Sequence, residues 1–201
     1  MATQKLPDYI TKEEFEKILS YALEIEKKAK SRTRKQRIKS YRIAMLLAFE
    51  GGLRVSEIVG YKGKSRRRNK KTGEIIVKDI EIQPLSQKNV EKACIRLKNA
   101  KGGKDRVTAR PKRLNANALS MLPLKIKRRA LQEFVSKVGK ECLDKDIHIH
   151  TLRHGFATHY YNKTKDILGL QQLMGHSRTD TTSIYSHINP EETINKVRDV
   201  F

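Results

Sequence analysis

The spacing of apolar residues changes twice along this chain, and this change constrains the fold more than any other feature of the sequence. Between Phe15 and Ile25 apolar residues recur every three or four positions, as on one face of a helix. From residue 74 to residue 98 the pattern becomes one of β-branched runs and alternation, which is typical of strands. Beyond Pro123 the helical spacing returns. The sequence therefore predicts a mainly helical α+β domain with a small antiparallel β-sheet.

The helical parts carry recognisable start and stop signals. Thr11 followed by Glu14 has the form of a capping box and predicts the start of the first helix. A second helix is predicted over residues 35–50, ending at Gly51 and Gly52, and a short one over residues 55–59. Further helices are predicted over residues 124–143, 150–161 and 166–174, with a last one opening at residues 189–192.

The strand-like region ends in a turn that is rich in glycine. Residues 75–77 and 80–82 form β-branched runs, and residues 93–98 alternate between apolar and polar. Residues 99–105 contain Gly102 and Gly103, and Val107 begins another extended run. The simplest interpretation is a β-hairpin that carries Lys101 in its turn.

The charge of the chain indicates the kind of partner it binds. The length of 201 residues favours one domain. Within it, Lys and Arg number 44 against 22 Asp and Glu, which gives a net charge of +22. The excess concentrates in residues 27–39 and 62–71, which favours a polyanion such as nucleic acid. A run like residues 62–71 is in general a solvated loop, but phosphate contact is at least as good an interpretation here. The longest apolar run, residues 43–49, is too short to span a membrane.

Cysteine usage and the N-terminus indicate the compartment. Cys94 and Cys142 are too few to hold a fold together, and the N-terminus has no signal-peptide pattern. We therefore expect a reduced, cytoplasmic protein, associated with the nucleoid if it binds DNA.

Five short stretches carry a resemblance to a known family. They are residues 52–57 (GLRVSE), 101–106 (KGGKDR), 150–159 (HTLRHGFATH), 173–176 (LMGH) and 181–185 (TTSIY). In this order and spacing they are similar to the conserved boxes of the tyrosine recombinases, the phage integrase family, and most closely to its Xer-like members. The resemblance implies the catalytic-domain fold of these DNA breaking and rejoining enzymes. It also implies that residues 1–201 are a single catalytic domain, without the N-terminal core-binding domain that family members usually carry.

The resemblance implies an active site of six residues. They are Arg54, Lys101, His150, Arg153, His176 and Tyr185.

The chemistry of phosphoryl transfer gives each of these residues a role. Tyr185 would be the nucleophile of a transesterification that leaves a 3′-phosphotyrosine and a free 5′-hydroxyl. Arg54 and Arg153 would clamp the nonbridging oxygens, because a guanidinium group matches their geometry with paired hydrogen bonds. His176 would donate a further hydrogen bond to the phosphate, and His150 would accept the phenolic proton.

A lysine would complete the site by protonating the departing 5′ oxygen. Lys101 is the first candidate for this role, and Lys104 and Arg106 are its nearest competitors. The sequence contains neither a Walker loop nor an acidic metal cluster, so we expect no cofactor.

The expected partner is double-stranded DNA, with self-association to a tetramer on the DNA and a possible helper DNA-binding protein. The predicted DNA contacts are Lys64, Arg66, Arg67, Arg68, Lys70, Lys71, Lys104 and Arg106.

Two other functions compete with a site-specific recombinase or integrase. A type IB topoisomerase-like enzyme would use the same chemistry but reseal the same strand. A noncatalytic DNA-binding module would keep the fold, although binding alone does not require Tyr185.

Overall fold

The computed structural model describes residues 8–69, 72–100 and 104–175. The helices in these ranges are α1 (Lys12–Lys28), α2 (Arg32–Phe49), α3 (Val55–Val59), α4 (Ala116–Leu119), α5 (Arg128–Leu143), α6 (Ile149–Thr164) and α7 (Ile167–Met174). The strands are β1 (Tyr61–Arg68), β2 (Ile75–Ile82), β3 (Cys94–Ala100) and β4 (Lys104–Ala109). The predicted α+β class is confirmed. The helix predicted to open at residues 189–192 lies outside the described residues.

Polar side chains set the helix starts. The predicted capping box is present, since the Glu14 backbone N–H donates to Thr11 Oγ1 at 3.2 Å and the Thr11 N–H donates to Glu14 Oε2 at 2.9 Å. Ser31 caps α2 with a single hydrogen bond, accepted by its Oγ from the Arg34 N–H at 3.2 Å, which moves the helix start to Arg32 from the predicted residue 35. Asp166 is the N-cap of α7 rather than its first residue.

The strands form two separate hairpins rather than one sheet. β1 pairs with β2, and β3 pairs with β4, both antiparallel. The second hairpin was predicted, and its turn residues 101–103 lie outside the described part of the chain. β1 was not predicted as a strand, because its basic side chains show no apolar alternation. Its extended form follows from pairing with the β-branched residues of β2.

Helices α1, α2, α5 and α6 enclose the core. Phe15 of α1 stacks on Phe49 of α2 with ring centroids 3.9 Å apart. Gly155 of α6 lets that helix lie close against α2, because a Cβ at this position would lie 2.6 Å from a ring carbon of Phe49. None of the helices within the described ranges is long and apolar enough to cross a membrane.

The loop after α2 brings three segments of the chain together. Gly52 adopts φ +61°, and a Cβ there would lie 2.6 Å from the ring of Phe156 on α6. Glycine at this position therefore lets the loop reverse direction while lying directly on α6. The reversal places Arg54, the N-cap of α3, beside the residues that α6 and α7 present.

Candidate active site

Arg54 is fixed at the start of α3 by Glu57, three residues further on. The Arg54 backbone N–H donates to Glu57 Oε2 at 2.7 Å, and its guanidinium Nη1 donates to Glu57 Oε1 at 2.9 Å. The same guanidinium group reaches the C-terminal end of α7, where Nη2 donates to the carbonyl oxygens of Met174 at 2.9 Å and Gly175 at 3.2 Å. Arg54 therefore connects α3 to the end of α7.

Arg153 reaches the same point from α6. The residue is 4% exposed, its Nη2 donates to the Met174 carbonyl oxygen at 2.5 Å, and its Nη1 donates to the carbonyl oxygen of Gly52. Arg54 and Arg153 thus share one acceptor atom. Two guanidinium groups from distant parts of the sequence are brought together, as the clamp prediction requires.

Glu57 is the buried acid of this cluster, and the sequence analysis assigned it no role. Its side chain is 1% exposed, and each carboxylate oxygen accepts one hydrogen bond from Arg54 and one from Arg106. Burial by itself raises the pKa of Glu57. Hydrogen bonds and charge from Arg106, the charge of Arg153 and the Arg54 backbone N–H outweigh that effect and hold the pKa below its ordinary value. Glu57 is therefore ionised.

Arg106, on β4, differs from the exposed phosphate contact that was predicted. The residue is 7% exposed, and its guanidinium group donates to Glu57 Oε2 at 2.5 Å and Oε1 at 3.1 Å. It also donates to the carbonyl oxygens of Gly52, at 3.2 Å, and Leu173. Arg106 is buried because these acceptors satisfy it, so it joins the hairpin to the cluster instead of contacting a ligand at the surface.

The described part of this cluster has an excess of positive charge. The three guanidinium groups of Arg54, Arg106 and Arg153 face a single carboxylate, that of Glu57. An anion with several acceptor oxygens would balance the excess, and guanidinium groups bind phosphate more effectively than other side chains do. The arrangement is therefore suited to binding a phosphate.

His150 lies one turn before Arg153 on α6 and is exposed. Burial, together with the charges of His150 and Arg153, lowers the pKa of the neighbouring His154 to about 4. Positions 150, 153 and 154 are three and four apart, so these residues lie on one side of α6. His154 is therefore neutral near pH 7.

The other predicted catalytic residues, Lys101, His176 and Tyr185, lie outside the described residues. The structure does describe the chain next to two of them. β3 and β4 flank Lys101, and Gly175, at φ +60°, immediately precedes His176. A Cβ at Gly175 would lie 2.6 Å from Cδ of Arg106, so the end of α7 packs directly on the cluster.

The predicted DNA contacts fall into different parts of the molecule. Lys64, Arg66 and Arg68 are exposed on β1. Lys70 and Lys71, and the side chains of Arg67 and Lys104, lie outside the described part. The prediction that Arg106 contacts DNA at the surface is wrong, because the residue is buried.

The sequence did contain a signal for a buried ion pair. Glu57 is the one acidic residue of the box at residues 52–57 in a strongly basic chain.

The fold and this cluster define an α+β domain in which arginines from three segments converge on the C-terminal end of α7. The sequence model described as the phage integrase family matches residues 8–192, and the chain belongs to that family.

The relatives agree with this assignment. A tyrosine recombinase of Pseudothermotoga lettingae is 26% identical over 209 aligned positions, covering 96% of this chain and 61% of that protein. The tyrosine recombinase XerC of Escherichia coli O127:H6 is 34% identical over 155 positions, covering 73% of this chain and 48% of that protein. The chain thus spans less than two thirds of the length of these curated relatives.

Solved structures support the fold. A XerH site-specific recombinase bound to palindromic difH substrate, in a post-cleavage complex, is 20% identical with a TM-score of 0.65, covering 96% of this chain and 53% of that one. The catalytic domain of bacteriophage HP1 integrase is 19% identical with a TM-score of 0.55, covering 95% of this chain and 94% of that one. The fold of this chain is therefore that of a tyrosine recombinase catalytic domain.

Proposed function

We propose that this chain is the catalytic domain of a site-specific DNA recombinase or integrase that joins Tyr185 covalently to a DNA 3′ phosphate. The observation that carries the proposal is the convergence of Arg54 and Arg153 on the Met174 carbonyl oxygen, because it brings two phosphate-binding groups to one point. Membership of the phage integrase family supports the reaction class.

In the proposed reaction the phenolic oxygen of Tyr185 attacks the phosphorus, and the bond from phosphorus to the 5′ oxygen breaks. Negative charge that develops on the nonbridging oxygens is stabilised by Arg54, Arg153 and His176. The products of this step are a 3′-phosphotyrosine and a free 5′-hydroxyl.

Two proton transfers accompany this exchange. His150 takes the phenolic proton, and Lys101 gives a proton to the departing 5′ oxygen. Since one phosphodiester replaces another, attack by a second 5′-hydroxyl reverses the step and rejoins the strands without ATP.

Double-stranded DNA is the substrate in this proposal. The net charge of +22 supports it, as does the description of XerH as bound to its difH substrate. Assembly of a tetramer on DNA and reliance on a helper DNA-binding protein complete the proposal.

The test traps the covalent intermediate on nicked duplexes. A pool of nicked suicide duplexes with a randomised region is incubated with the protein and separated by denaturing electrophoresis, and the retarded DNA is sequenced. The natural protein should give an adduct, and Tyr185→Phe should give none. Tyr161→Phe, which removes a hydroxyl from a partly buried tyrosine on α6, should leave the adduct unchanged.

Two outcomes contradict the proposal. The first is a natural protein that binds DNA but never forms the adduct. The second is an adduct that persists in Tyr185→Phe. Relaxation of a supercoiled plasmid without strand exchange would instead assign a topoisomerase-like activity.

Arg153→Ala separates cleavage from binding. It should abolish the adduct and keep most nonspecific DNA binding, because the basic residues are spread over the whole chain. Equal loss of both would contradict the clamp role.

A further inference from the structure

The hairpin of β1 and β2, called the ribbon here (residues 61–82), carries a surface that the proposed active site does not use. Every residue of β2 from Ile75 to Asp79 is exposed, and Ile82 is its one buried residue. Eight basic residues face three acidic ones in residues 61–82. The ribbon is therefore strongly basic as well as exposed.

The register divides one face of the ribbon into two halves. Residues directly opposite each other in antiparallel strands share a face. Lys62 stands opposite Glu81 and Lys64 opposite Asp79, so acidic residues offset the positive charge at the root. In the outer half, aliphatic residues stand opposite the arginines.

The outer half combines arginines with exposed aliphatic side chains. Arg66 stands opposite Val77 and Arg68 opposite Ile75. Val77 is 50% exposed and Ile75 is 67% exposed. Contiguous exposed apolar surface is a mark of interaction sites, and Ile75 and Val77 are neighbours on this face. Here no acidic residue stands opposite the arginines, so positive charge and apolar surface occur together.

Duplex DNA fits this surface better than a second copy of the chain does. Two ribbons with the same charge excess repel each other, whereas a polyanion is attracted. The major groove accepts a two-stranded β-ribbon, and its edges offer phosphates and guanine acceptors to arginine and thymine methyl groups to aliphatic side chains.

The root of the ribbon is tied to the cluster. The backbone N–H of Leu85, just after β2, donates to the carbonyl oxygen of Glu57 at 3.0 Å. Strands of eight residues extend about 24 Å at the usual rise per residue. DNA with a phosphate at Arg54 and Arg153 would therefore meet the outer half well away from that phosphate.

We propose that the outer half of the ribbon is a DNA groove-binding element, with Arg66 and Arg68 contacting phosphates or base edges and Ile75 and Val77 packing on the groove wall. This inference rests on the proposed function, since it takes DNA to be the substrate. It assigns the salt-dependent part of this contact to Arg66 and Arg68 rather than to Lys64.

The test measures equilibrium binding of the full chain to a fluorescein-labelled duplex of mixed sequence over a series of salt concentrations. The double substitution Arg66→Ala with Arg68→Ala should lower the slope of log K against log salt by about 0.9 for each phosphate that the protein no longer neutralises. Ile75→Thr with Val77→Thr keeps β-branched residues in the strand, so it should weaken binding and leave the slope unchanged.

The matched control removes charged side chains from the same ribbon without altering its net charge. Lys62→Ser with Glu81→Ser should leave both affinity and slope close to those of the natural protein. The proposal is overturned if the arginine variant binds with an unaltered slope. It is also overturned if the threonine variant alters self-association in sedimentation without DNA while its DNA affinity is unchanged.

Covalent adduct formation at saturating protein separates this inference from the proposed function. The ribbon variants should still form the Tyr185 adduct, because none of the substituted residues belongs to the cluster. Absence of an adduct in the natural protein would refute the proposed reaction, while the salt slopes would still decide the role of the ribbon.

Discussion

Replacement of Arg106 by methionine tests whether the buried cluster holds this domain together. The substitution removes the donors to both oxygens of Glu57 and to the carbonyl oxygens of Gly52 and Leu173. Glu57 would remain a carboxylate with 1% of its side chain exposed and with Arg54 as its remaining partner among the bonds described. Loss of one partner from a buried ion pair costs about 3–5 kcal/mol. That is a large part of the roughly 5–15 kcal/mol by which domains are stable.

The assay is urea unfolding at pH 7, followed by circular dichroism, with Arg113→Met as the matched control. Arg113 also contacts two carboxylates, those of Glu16 and Glu50, but its side chain is 41% exposed. An exposed pair contributes about 0–1 kcal/mol, so the same substitution there should have a small effect.

A second variant identifies the uncompensated charge as the cause. Glu57→Gln placed in the Arg106→Met background should recover part of the lost free energy of unfolding, because a neutral amide is cheaper to bury than a carboxylate. The reasoning fails if Arg106→Met is no more destabilising than Arg113→Met. It fails equally if the amide recovers nothing.

Two further predictions concern His154 and Gly175. The pKa of His154 is about 4 in the folded state against an ordinary value of 6.5, so the unfolded state binds the proton more tightly and stability falls as the pH drops from 6.5 towards 4. Between pH 7 and pH 5 the free energy of unfolding of the natural protein, measured in urea, should therefore fall by about 2 kcal/mol from His154 alone. His154→Gln should lack this pH-dependent loss. Equal pH dependence in both proteins would contradict the prediction. Gly175→Ala should lower the melting temperature more than Gly73→Ala does, because both glycines have positive φ but only Gly175 packs on Arg106. Equal shifts in differential scanning calorimetry would show that the contact with Arg106 has no effect.

Most of the helical fold could be predicted from the sequence, because local signals specify it. Thr11 and Glu14 show the start of α1 by their spacing, and the apolar period of the following residues gives its buried face. β1 could not be predicted in this way. Five of its eight residues are basic, and they form a strand because β2 supplies the hydrogen bonds, which is a non-local cause.

The candidate site shows the same division between local and non-local information. The family boxes identify Arg54 and Arg153, and the structure brings their guanidinium groups to one oxygen atom. The burial of Arg106 could not be predicted, because arginine is exposed in most proteins and its environment here depends on Glu57, 49 positions earlier in the chain. The available signal was Glu57, the single acidic residue of the box at residues 52–57, which could have indicated a buried ion pair.

The carbonyl end of α7 is held from two sides, by Arg54 of the α3 segment and by Arg153 of α6. The polypeptide therefore continues from a fixed point, and Tyr185 follows Gly175 by ten positions. Ten residues span at most about 36 Å even when fully extended, so Tyr185 cannot lie further than that from the held end of α7. Loosening that end would widen the region that Tyr185 can reach, even with every residue of the cluster still present.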